Sequence, residues 1–199
     1  MPVMPPMQRR LMLCSEKKNK IMKDWELTLR DYWGNQLRRF DLGEISHANL
    51  DEDAKRILLG LGLPNIAIDS AVIFKPSKSL VAFEFDGENY VLLGNNVGDE
   101  TLGIFVGLRR NSSEIYQLHT KYDKSVVFMN SNLKALLLFL KRYCEFILSV
   151  RELSEDEFIA NIDVVDRLKE DFLSIDPPAI TGSKNYWTLI LAELDGYRK

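Results

Sequence analysis

Residues 79–95 read SLVAFEFDGENYVLLGN, and this stretch decides the class of the fold. Val81, Phe83 and Phe85 alternate with Ala82 and Glu84, the period-two pattern of a strand. Asp86-Gly87 is a strong signal for a two-residue hairpin turn, because both residue types tolerate positive φ. A second β-rich run, NYVLLGN at 89–95, follows at once. The pair therefore reads as an antiparallel hairpin.

The same texture extends on both sides. IAIDSAVIF precedes the hairpin, and TLGIFVGL, EIYQLHT and SVVFMN follow it. KPSK, DGE, NVGDE, RRNSS and KYDK separate the runs. Connections this short join antiparallel neighbours and leave no room for a crossover helix.

Helical periodicity flanks this block. From Ile21 to Phe40, Trp25, Leu29, Trp33 and Leu37 recur at near-helical spacing, with Lys, Arg and Asp between them. Asn49 with Glu52 suggests the start of a second helix, which stops at the GLGLP of residues 60–64. Beyond the strands, Ser131 is placed to cap a broadly apolar helix carrying Leu133, Leu136, Leu137, Leu140, Tyr143, Cys144 and Ile147. Ser154 with Glu157 forms a capping box for a helix whose stripe is Phe158, Ile162, Val165, Leu168 and Phe172. Asp176-Pro177-Pro178 ends it, and a short helix from about Lys184 to Leu194 carries Trp187. Helices segregated to the two ends of a strand block predict an α+β fold. The expectation is a mostly antiparallel sheet of about five to six strands flanked by N-terminal and C-terminal helices. The apolar stripes after residue 151 need a partner, so residues 21–199 are expected to form one domain, with 1–20 a disordered extension. Met22 stands where the pattern becomes regular.

Composition narrows the function. The 199 residues carry a net charge of −3, which favours neither a nucleic-acid binder nor a strongly acidic mimic. The charge is uneven. Residues 1–39 hold nine Lys/Arg against four Asp/Glu, and residues 151–176 hold nine acids against three bases. Cys14 and Cys144 show no partner spacing, which fits a reducing compartment. The opening MPVMPPMQRRLMLC is broken by Gln8, Arg9 and Arg10, so it does not read as a signal, and no run is long enough to span a membrane. A cytoplasmic protein is expected.

The search for chemistry finds no assembled machinery. His47 and His119 differ in context and lie far apart in sequence. GNNVGDETLG at 94–103 is glycine-rich but lacks a Walker Lys-Ser/Thr pair and precedes a strand. There is no GxSxG elbow, and nothing in the sequence joins His119 to Cys144. Glu84 with Asp86 and Asp99 with Glu100 are carboxylate pairs in or beside turns, where solvated charge explains them. Lys20, Lys23, Arg30, Arg38 and Arg39 accompany Trp25, Tyr32 and Trp33, but those rings lie mainly on the apolar stripe. No catalytic residue, metal or cofactor is expected.

GLGLP ending an early helix, YVLLGN, VVFMNSNLKALLLFL and the closing IDPPAITGSKNYWTLILAEL together resemble the SUKH superfamily, in particular its fourth group. The resemblance covers roughly residues 25–195. NSNL at 130–133 is its most specific motif and GLGLP the next. It implies an α+β fold with a mostly antiparallel sheet, in agreement with the reading above. It also implies an immunity protein that binds and neutralises a cognate bacterial polymorphic toxin, often a nuclease or deaminase, and that is not itself an enzyme. Fungal relatives imply the alternative, a regulatory adaptor with an endogenous partner. The shared motifs shape the fold and name no contact residues. A nuclease toxin has a basic substrate site, so the turn acids Asp86, Glu88, Asp99 and Glu100 are the expected toxin-binding residues, with the acidic segment Glu155–Asp171 second. No nucleic acid or membrane partner is expected.

Overall fold

The computed structural model describes residues 23–69, 71–97 and 100–198, and the side chains of all of these but 71, 72, 100 and 198. The extension foreseen at residues 1–20 lies outside the described residues.

The chain opens with helix α1 (Asp24–Trp33), which is shorter than the periodicity to Phe40 suggests. Gly34 ends it with φ +52, a conformation that costs a glycine little, and its N–H returns to Arg30 O. A 3-10 turn (Gly34–Gln36) leads into β1 (Leu37–Arg38). Two helices follow, α2 (Leu42–Ser46) and α3 (Glu52–Gly60). Asp51, not Asn49, caps α3, its side chain accepting from Ala54 N at 2.8 Å. Asn49 stands at φ +47, and an N-cap needs extended backbone.

GLGLP behaves as the sequence suggests and adds a contact. After α3, Gly62 takes φ +91, and β2 (Leu63–Pro64) pairs antiparallel with β1. A Cβ on Gly62 would lie 2.2 Å from Arg38 O, so the two short strands close up only over a glycine.

Six strands then form an antiparallel meander in chain order: β3 (Ile66–Ile68), β4 (Ala71–Phe85), β5 (Glu88–Asn95), β6 (Ile104–Arg109), β7 (Ile115–His119) and β8 (Ser125–Asn130). Asp86 and Gly87, at φ +53 and +75, make the two-residue β4–β5 turn. KPSK does not separate two strands. It lies inside β4, where the register shifts between Pro76 and Val81. Pro76 lacks an amide and sits where the ladder breaks. Arg38 donates to the carbonyls of Ser77 and Lys78, which pair with no strand, and its guanidinium also pairs with Glu44 at 2.8 Å.

The C-terminal part is helical: α4 (Leu133–Val150), α5 (Glu155–Ala160), α6 (Asp163–Ile175), α7 (Pro178–Thr181) and α8 (Tyr186–Asp195). Ser154 and Glu157 form the expected capping box. The stripe from Phe158 to Phe172 is not one helix, because the chain turns at Asn161 and Ile162 between α5 and α6. Asn132, not Ser131, caps α4 through Ala135 N at 3.0 Å.

One face of the sheet and the helices share a core. Val91, Leu93, Val106, Leu108 and Ile115 meet Leu133, Leu136, Leu137, Phe139 and Leu140 of α4, with Leu29 and Trp33 of α1 and Leu58 of α3 in the same cluster. Each such fully buried side chain is worth about 1.5–3 kcal/mol. Glu26 of α1 is buried with them and ion-pairs with Arg56 of α3, so its charge is compensated.

Three protons are held in or beside this core. Burial pushes the Cys144 thiol up to about 12 from 9.0, and pushes the phenols of Tyr143 and Tyr32 up to about 12 from 10.0. The folded chain therefore binds these protons more tightly than the unfolded chain. The stability they carry is complete below about pH 9 and is lost as pH rises towards 12. The urea midpoint is expected to hold steady through neutral pH and fall above 9. Native Cys144 should also resist alkylation at pH 8 and react only on unfolding.

Candidate functional site

Two of the motifs shared with the resembling family, NSNL and the closing IDPPAITGSKNYW segment, converge on one buried network. Asp176 follows α6 and is only 5% exposed. Its Oδ2 accepts from Ser131 N at 2.8 Å and from Asn130 Nδ2 at 3.2 Å, and its Oδ1 accepts from Ser131 Oγ at 2.7 Å. Asn130 Oδ1 in turn accepts from Trp187 Nε1 at 3.0 Å. The end of β8, the end of α6 and the start of α8 are thereby joined by polar groups that have each found a partner. This explains why Ser131 does not cap α4: its hydroxyl is committed to Asp176. The Trp187 ring packs edge-on or tilted against Phe139, Phe172, Tyr143 and Tyr186 at centroid distances of 4.9–5.7 Å. The network is architectural: Asn130, Asp176 and Trp187 are all buried and bonded to one another or to Ser131.

The other surface of the sheet is different. Directly paired residues in an antiparallel ladder point to the same side. The pairs Phe85–Glu88, Phe83–Tyr90–Arg109, Val81–Leu92–Gly107–Tyr116–Phe128 and Phe105–Leu118–Val126 therefore share the face opposite the core. Of these residues only Phe128 packs against the main core. Tyr90 and Leu118 are nonetheless buried, by their neighbours on this same face. The sheet coils enough to allow it. Glu84, Phe85 and Asp86 at the end of β4 line one cleft of about 290 Å³ with Lys124 and Ser125 at the start of β8. Two diagonal corners of the meander thus approach, and the aromatic face lies on the concave side.

Gly107 sits at the centre of this face. A Cβ there would meet Leu118 Cδ1 at 2.8 Å and Tyr90 Cβ at 3.3 Å. The missing side chain lets Tyr90 of β5 and Tyr116 of β7 meet across β6, with ring centroids 5.9 Å apart. Tyr116 continues to Phe128 at 5.6 Å, and Phe83 stacks on Phe85 at 6.0 Å. Val81 is 51% exposed at the margin.

Polar groups close the hairpin end. Arg109 lies 3.3 Å from both Glu88 and Glu114 and donates to the Tyr116 hydroxyl at 3.2 Å. Tyr116 donates to Glu114 at 2.9 Å. Burial, then Glu114, pushes the Tyr116 phenol above its ordinary range, so it remains a donor. Two carboxylates share one guanidinium here.

The acids proposed from the sequence separate in the structure. Asp86 is exposed in the β4–β5 turn, and Glu88 stands beside it on the concave face. Asp99 and the side chain of Glu100 lie outside the described residues. The acidic segment Glu155–Asp171 is divided between α5 and α6, where Asp163 pairs with Arg167 and Asp171 with Arg142. Sequence reasoning missed Arg109, Glu114 and Tyr116. The available signal was Gly107, a glycine inside a strand, which marks close approach. His119 Nε2 shares a hydrogen with Gln117 Oε1 at 2.8 Å, and Gln117 donates to Asn96. Cys144 lies in α4 among core side chains. Among the described residues no cluster of His, Cys, Asp or Glu could hold a metal ion, and no helix is long and apolar enough to cross a membrane.

The model of the SUKH-4 immunity protein family matches residues 26–193, a span that takes in every motif of the buried network. No curated protein and no solved structure matches the chain. The family match covers most of the sequence, and the chain belongs to the SUKH-4 immunity protein family.

Proposed function

We propose that this chain is an immunity protein that binds a cognate bacterial toxin, stoichiometrically, and neutralises it by covering its active surface. Membership of the SUKH-4 immunity protein family is the observation that carries the reading. The arrangement of side chains agrees with a binding role: the Asn130–Asp176–Trp187 network is internal, and the sheet carries a partly exposed aromatic face with charge at one end. A toxin that acts on nucleic acid presents a basic substrate site. Exposed carboxylates such as Asp86 and Glu88, with Asp99 and Glu100 in the following connection, speed and orient docking to such a site.

The test is growth rescue. The toxin domain encoded beside this gene is expressed with and without the chain, and viability is followed. Survival in the presence of the chain, with both proteins co-purifying at one to one, is the expected outcome. Unchanged killing with no complex overturns the reading.

A further inference from the structure

The concave aromatic face combines two properties that rarely stay exposed together. It carries an apolar margin, with Val81 half-exposed and Phe83, Phe85 and Leu92 half-buried, set apart from the main core. It also carries an excess of negative charge at one end. Asp86, Glu88 and Glu114 stand there with Arg109, and all four charges act on the Tyr90 phenol. With Glu84 and Lys124, which line the cleft beside Asp86, four carboxylates stand against two cations and leave room for a further cation. Polyanions such as RNA are disfavoured at such an end for the same reason.

Resting on the immunity reading above, we infer that the concave face of the β4–β8 sheet is the toxin-docking surface, and that it receives a protruding toxin segment with an apolar tip and an adjoining lysine or arginine. The tip lies against Val81, Phe83, Phe85 and Leu92, the exposed and half-buried side chains at the margin of this face. The cation takes up the unbalanced charge of Glu88 and Glu114. An apolar anchor desolvated at the centre with a charged flank is how binding energy usually concentrates in an interface.

The test uses the full chain and the purified toxin domain. Val81→Arg and Phe85→Lys place cations on the half-exposed margin, where neither should disturb the core. Leu189→Arg, on the exposed side of α8, is the control. Thermal midpoints equal to wild type qualify each variant as folded. The expected result is a Kd raised about 100-fold by either margin variant, and within about twofold of wild type for Leu189→Arg. Raising salt from 50 to 500 mM should weaken the wild-type complex about tenfold, mainly through a slower on-rate. Folded margin variants that bind like wild type, while the wild-type complex forms normally, overturn the docking surface and leave the immunity reading standing. A wild-type chain that binds no toxin overturns both.

Discussion

Replacing Trp187 with alanine is expected to cost about 3–5 kcal/mol of folding stability, measured by urea denaturation at 25 °C. The side chain is 1% exposed, and its ring touches four others from three helices. Phe139 of α4 and Phe172 of α6 stack at 4.0 Å beneath it, so no neighbour is free to collapse into the space. Domains of this kind are stable by only about 5–15 kcal/mol in all, so the loss would expose much of the population to unfolding. Trp187→Phe separates the two contributions. It keeps a ring in the cluster but strips Asn130 Oδ1 of its indole donor, and about 1–2 kcal/mol should go with that bond. Leu189→Ala, two residues along the same helix and half-exposed, should shift stability by no more than about 0.5 kcal/mol. Equal effects from Trp187→Ala and Leu189→Ala would show that the aromatic cluster does not hold α8 in place.

Asp176→Ala is expected to cost about 3 kcal/mol, although aspartate is ordinarily a surface residue. The carboxylate accepts three hydrogen bonds from Asn130 and Ser131, and removing it leaves those donors without partners in a closed site. Asp176→Asn should be only partly protective. An amide offers one acceptor oxygen, and its NH2 must face a donor. Because Asn130 bridges Asp176 to Trp187, the two sites share a partner and their effects should not add. Asp176→Ala with Trp187→Ala is expected to cost less than the sum of the single variants. Additive losses would mean that the two ends of the network act independently.

These two residues also show what a motif means in physical terms. NSNL, the Asp-Pro before the last helices and the tryptophan that follows are separated by 46 and 57 positions along the chain, yet they form one hydrogen-bonded unit. The family match over residues 26–193 spans all of these residues. It says little about the surface that meets a partner, because the network faces inward.

Much of the architecture was legible in local pattern. The DG hairpin and the Ser154–Glu157 capping box each depend on residues close in sequence, and each was found where it was expected. The misreadings were local alternatives that a distant partner decided. Ser131 has the chemistry of a cap, but Asp176 claims its hydroxyl and Asn132 takes the role. KPSK has the composition of a turn, but Arg38 holds its carbonyls and keeps the chain in β4.

Period-two alternation in several runs, short connections between them and helical periodicity on either side determined, from the sequence alone, that this chain builds a mostly antiparallel sheet with helices at both ends. Which face would be covered, and that the other would gather Tyr90, Tyr116 and Phe128 with Glu88, Arg109 and Glu114 at one end, was decided only by the tertiary structure. Strand pairing sets which side chains are neighbours across the sheet, and the twist of the strands sets how far its corners approach. Both depend on register and on contacts between residues far apart in the chain, which no local pattern records.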